Sequence, residues 1–164
     1  MSYFIEPSAN DLSRALEAWS WLPIHGKQPI LVSAFADVFF SSSDGIWFLD
    51  TLEGKLKNIC STRTELETIL STSEGQDLYL LSPFIDRAIR EGLALSDEQC
   101  FDFKLHPIVG GAIDYANIER TGFVVALHVR GQLHEQVRHM APGTKISKFT
   151  LAEEKAPKPW WKLW

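Results

Sequence analysis

The sequence predicts an α+β protein, a mostly antiparallel sheet with helices packed on one face. Three observations carry this. Apolar runs rich in Val, Ile and Phe follow one another between residues 29 and 60, parted by short polar turns, as in a meander. Two later stretches, 61–70 and 78–91, change to helical spacing and open on helix-starting residues. No repeat and no long linker divides residues 1–150, so these elements form one domain, followed by a Lys/Pro/Trp-rich tail at 151–164.

Composition agrees with that class. With 164 residues, 45% of them hydrophobic and 23% charged, the chain suits one folded core. A net charge of −5 offers no basic surface for phosphates, so nucleic acid is not the expected partner. Cys60 and Cys100 form no C-x-x-C, which excludes a cysteine-rich zinc site or a disulfide scaffold and fits a reducing compartment. "MSYFIEPSANDL" has neither the basic start nor the apolar stretch of a secretory signal. No apolar run reaches the roughly 18 residues of a membrane span, so no stable membrane insertion is expected and the cytoplasm is the expected location.

The elements follow in order. Ser8, with Asp11 three residues on, starts a helix over about 9–21 whose Leu12, Ala15, Leu16 and Trp19 share a face. Pro23 and Gly26 end it. "PILVSAFADVFF" (29–40) reads as a long strand, "SSSDG" as a turn, "IWFLD" (46–50) and "KLKNIC" (55–60) as two more strands. Thr62 and Glu65 open the helix 61–70, and Pro83 falls in the first turn of a second helical stretch, 78–91, that Gly92 stops. "QCFDFKL" (99–105) is a strand. Residues 106–119 form a loop with a Gly-Gly pair and one short helical turn, "GFVVALHVRGQLHEQV" (122–137) is the longest strand candidate, and "APGTK" is a turn before a possible edge strand, "ISKF".

Residues 126–139, on the 122–137 strand candidate and just past its end, hold three of the five histidines, His128, His134 and His139. Strand alternation places Val125, Leu127, Val129 and Leu133 on the core face, and His128, Arg130, Gln132, His134 and Gln136 on a polar face. Six residues at roughly 3.3 Å each separate His128 from His134 by about 20 Å, too far to share a zinc ion. The chain has no H-E-x-x-H, so no metal site and no catalytic residue is assigned. The polar face is instead a candidate contact surface, joined by Asp114 and Glu119 and by the other acidic loop residues Asp44, Asp97 and Glu98.

Asp37 alternates with Phe35 and Phe39 and so points toward the core, where an unpaired carboxylate is costly. It is expected to cap a turn, meet a cation or sit at a bulge. Gly110 and Gly111 read as a tight turn rather than an anion cradle, Ser41–Ser43 lack the G-x-S-x-G elbow, and both cysteines read as small buried hydrophobes.

"PILVSAFADVFF…DGIWFLDTLEGKL", "EGLALSDEQCFDFKLHPIVGGAIDYANIE" and "VRGQLHEQV" together resemble a bacterial family named for the immunity proteins of type VI secretion DNase toxins, and are loosely similar to the Smi1/Knr4-type superfamily. The resemblance runs from about residue 15 to 149. It implies a cytoplasmic, non-enzymatic binding protein, without cofactor, that neutralises a cognate nuclease toxin by covering its active site. There are two departures. The family's toxin-neutralising members carry a longer segment ahead of this domain, whereas the first strand is expected here from residue 29, and Ala36 replaces the glycine usual in "FGDVF". Two alternatives stand beside this reading: a small hydrolase using His128, His134 or His139 with Asp37 or Asp114, and an adaptor docking through the tryptophans of "KAPKPWWKLW".

Overall fold

Residues 28–60 form the expected meander. The structure, a computed structural model, describes residues 3–141, 143, 144, 146 and 148–151. Strands β1 (Phe4–Ile5), β2 (Gln28–Ser33), β3 (Val38–Ser42), β4 (Gly45–Asp50) and β5 (Lys55–Cys60) lie side by side in that order. Each pairs antiparallel with the next, in a register set by pairs such as Phe40 with Trp47 and Leu49 with Leu56. The fold is α+β, with five helices among the described residues packed against antiparallel sheet.

The long strand expected over 29–40 is in fact two. Ser33 turns the chain: its Oγ accepts from the amides of Phe35 (3.2 Å) and Asp37 (3.0 Å), and its carbonyl accepts from Ala36. Ala36 sits at φ +66°. The continuous apolar run hides this break because every residue of the turn is buried.

The first helix begins as expected, with Ser8 accepting from Asp11 N, and runs as α1 (Ala9–Leu16) into a 3-10 turn at Glu17–Trp19. Thr62 caps α2 (Arg63–Leu70). The second helical stretch divides into α3 (Ser73–Leu80) and α4 (Ser82–Arg90), because Leu81 takes a left-handed conformation between them. Pro83 lies in the first turn of α4. Strand β6 (Gln99–Phe103) pairs antiparallel with β7 (Ile118–Gly122) in a small second sheet, and two 3-10 turns, Pro107–Val109 and Tyr115–Asn117, occupy the loop between them.

The largest correction concerns residues 122–137. The stretch is a helix, α5 (Phe123–Val137), and not a strand. Its buried residues, Phe123, Ala126, Leu127, Arg130, Gly131, Leu133 and His134, recur every three or four positions. Alternation misled because Arg130 and His134, polar by type, belong to the inner face. The six residues from His128 to His134 therefore span about 9 Å of helix and not 20 Å. Gly131 permits close approach to the first helical segment, since a Cβ there would stand 2.7 Å from the Ala18 carbonyl oxygen. Trp19 Nε1 donates to the Leu127 carbonyl at 2.8 Å and locks the contact.

Three apolar cores result. Trp19, Val38, Phe40, Leu49, Phe123 and Leu127 join one face of the large sheet to α1 and α5. Phe39, Ile46 and Phe48, from the opposite side of the same strands, meet Leu66 and Leu80 of α2 and α3. Phe35, Ile85, Phe101 and Phe103 bind α4 to the small sheet. Ile146, Lys148 and Phe149 adopt no strand, and the tryptophan tail from 152 lies outside the described residues.

Candidate functional site

Helix α5 turns Arg130 and His134, one turn apart, into the space where the three cores meet. Both are only 4% exposed, so neither belongs to the contact face that alternation assigns them. Arg130 uses its whole donor fork. Nε and Nη2 donate to Asp102 Oδ1 at 3.1 and 2.8 Å, Nη2 also to the Phe101 carbonyl at 3.1 Å, and Nη1 to the Phe35 carbonyl and Thr51 Oγ1 at 2.5 and 2.7 Å. One guanidinium thus ties α5 to the Ser33–Asp37 turn, to the end of β4 and to β6.

Asp37 stands on the other side of Thr51. Its Oδ1 accepts from Thr51 N (2.9 Å) and Oγ1 (2.7 Å), and its Oδ2 accepts from Ser33 Oγ (3.2 Å). Burial pushes its pKa up to about 6, against the pull of the Arg130 charge and the Thr51 amide. Two of the roles expected of Asp37, turn cap and neighbour of a cation, are filled. His134 Nε2 lies 3.0 Å from the Thr51 carbonyl, and burial lowers its pKa. His106 packs edge-on to His134, ring centroids 5.4 Å apart. Burial pulls its pKa down to about 3, helped by the Arg130 charge. Cys100 nearby is fully buried, and its thiol is pushed up to about 12 by burial.

This network is closed. The free space beside Asp37, Thr51, His106 and Arg130 is about 10 Å³, room for no substrate. Asp37 and His134, two residues of the hydrolase alternative, do approach each other, but with Thr51 between them. His139 and Asp114 are exposed, and Asp114 caps the 3-10 turn Tyr115–Asn117 by accepting from Ala116 N at 2.8 Å. His106, Thr51 and Asp102, which complete the network, carry no sequence signal; only Asp37, a lone carboxylate in an apolar run, pointed to it.

The other candidate contact residues are dispersed. His128 is half-buried, with Nδ1 3.4 Å from the Arg14 carbonyl. Gln132 is half-buried. Gln136 is exposed and makes a two-way clasp with Thr150, donating to its carbonyl at 2.8 Å and accepting from its amide at 3.2 Å. Glu119 is exposed on β7. The Gly110 and Gly111 amides donate to Pro107 and His106 carbonyls, so they form the expected tight turn. Among the described residues no three His, Cys, Asp or Glu side chains are grouped to hold a metal ion, and no helix is long and apolar enough to cross a membrane.

The open relief lies elsewhere, around the start of α1. Three adjoining depressions of about 760, 520 and 400 Å³ share Pro7 as a wall residue. Leu12, Leu16, Leu22, Ile24 and Phe40 give the largest an apolar floor. The carboxylates of Glu6, Asp11, Glu17, Asp97 and Glu98 stand along the relief. Its cations are already engaged: Arg14 pairs with Asp11 at 3.3 Å and Lys27 Nζ lies 4.1 Å from the centre of the Trp47 ring.

No protein-family model and no curated protein matches this chain. Among solved structures it is similar to Atu4351 from Agrobacterium tumefaciens, with a TM-score of 0.52 at 18% identity. The likeness covers 79% of this chain, which spans only 65% of that one, and at this identity it shows a shared fold.

Proposed function

We propose that the chain is a cytoplasmic, non-enzymatic immunity protein that neutralises a cognate secreted nuclease toxin by covering its active site. One observation carries the reading: its ionisable groups are divided into two sets. Arg130, Asp37, His106 and His134 are enclosed by the protein. Exposed Glu6, Asp97 and Glu98, with half-buried Asp11, by contrast line one depression, and Glu17 stands at the neighbouring one with the apolar floor. A nuclease grips its substrate with a basic cleft, and an acidic relief steers toward such a cleft and excludes wrong partners. The family resemblance of the sequence supports the same partner. The relief around Pro7 takes over the contact role from the face of residues 128–136.

The test is a binding assay with the purified nuclease-domain product of the neighbouring gene, read together with DNA cleavage. The expected outcome is a complex that blocks cleavage and forms roughly tenfold more slowly with Asp97→Lys/Glu98→Lys at low salt. Asp114→Lys/Glu119→Lys, on other surfaces, leaves that rate unchanged. No retained nuclease and full cleavage at saturating protein overturn the proposal.

A further inference from the structure

We infer that the closed space between His106, Asp37 and Thr51 is a binding site for a single water molecule, held by three hydrogen bonds. This goes beyond the proposed function and does not depend on it. The argument is an account of donors and acceptors. His106 Nδ1 accepts from Ile108 N at 3.3 Å, capping the turn Pro107–Val109. A neutral ring that accepts at Nδ1 carries its proton on Nε2. That Nε2–H is buried, in a residue 7% exposed, and among the described residues it makes no hydrogen bond of good geometry, the Thr51 carbonyl being its nearby acceptor. Buried donors of this kind are regularly met by an internal water.

The surroundings choose the ligand. All five Arg130 N–H groups are spent on Asp102, Phe35, Phe101 and Thr51. Thr51 Oγ1 donates to Asp37 and accepts from Arg130. The Asp37 carboxylate accepts three hydrogen bonds of the roughly four that two oxygens can take. The Thr51 carbonyl accepts one, from His134, and has a second lone pair. One donor, the His106 Nε2–H, therefore remains, beside acceptor places on Asp37, on the Thr51 carbonyl and hydroxyl and on the Phe35 carbonyl, enough for one water that accepts once and donates twice. About 10 Å³ of space is close to the smallest that holds a water. An anion would meet the Asp37 carboxylate, and a cation would meet the Arg130 charge.

Oxygen-17 relaxation dispersion on the full chain counts long-lived internal waters. His106→Leu is expected to lower that count by one molecule, while His128→Leu leaves it unchanged. Nitrogen-15 spectra of the wild type give a reading that needs no variant: His106 in the Nε2–H form, with a through-space cross-peak from that proton to a slowly exchanging water. An Nδ1–H ring, a missing cross-peak, or an unchanged count in a folded His106→Leu chain overturns the inference.

Discussion

Replacing His106 by Asn should turn a nearly flat acid dependence of stability into one that falls as the pH rises from about 4 to 6. Two buried groups act there with opposite sign. The folded pKa of His106, about 3, lies below its ordinary 6.5. The unfolded chain therefore binds the extra proton, and the stability His106 contributes is complete above pH 6.5 and lost as the pH falls toward 3. Asp37 is the reverse: its folded pKa of about 6 lies above 3.8, so its contribution is complete below 3.8 and lost as the pH rises through 6. At about 1.4 kcal/mol per unit, the full swings are at most about 5 kcal/mol for His106 and about 3 kcal/mol for Asp37. In the wild type the two slopes oppose each other between about pH 4 and 6, and these groups leave a nearly flat profile. Asn keeps a side-chain acceptor for the Ile108 amide but does not titrate. Urea unfolding of the variant should then show stability falling by up to about 3 kcal/mol from pH 4 to 6. A variant profile parallel to the wild type across that window would refute the placement of these protons.

Other variants test the packing around the same residues. Arg130→Met leaves Asp37 and Asp102 without their cation and should cost about 3–5 kcal/mol in urea unfolding at pH 7, part of it recovered by adding Asp102→Asn. Gly54→Ala should cost more than about 2 kcal/mol, since the new Cβ would lie 2.3 Å from His134 Nδ1 at a backbone φ of +66°; a neutral result would mean that the ring does not lie against β5's turn. At Ala36, relief of left-handed strain offsets the lost buried methyl, so Ala36→Gly should stay within about 1 kcal/mol of wild type. Ala36→Val, β-branched in the same conformation, should lose about 2–3 kcal/mol, and equal stability of the two variants by thermal melting would contradict the turn geometry.

How far the sequence could be read depended on whether a residue's chemical type agreed with its place. The strands β4 and β5 and the caps at Ser8 and Thr62 are local matters, fixed by alternation, turn residues and one side-chain oxygen, and they are legible. Helix α5 is not, because the period of its inner face is completed by Arg130, Gly131 and His134. Read by type, those positions are polar or empty, and the remaining Val125, Leu127, Val129 and Leu133 mimic a strand. Length was the available arbiter: 16 residues exceeds the usual strand of 3–10. Asp37 was the one residue whose conflict with its apolar neighbours could be seen beforehand, and the structure resolves that conflict through the same Arg130 that made the helix unreadable. Both anomalies have a single cause. Where the sheets, α5 and the Ser33–Asp37 turn converge, backbone carbonyls of Phe35, Phe101 and Thr51 face inward and require donors. A guanidinium and an imidazole supply them from one helix face, with Asp102 balancing the charge. Arg130 and His134, which look from the sequence like part of a working surface, are thus committed to joining the fold.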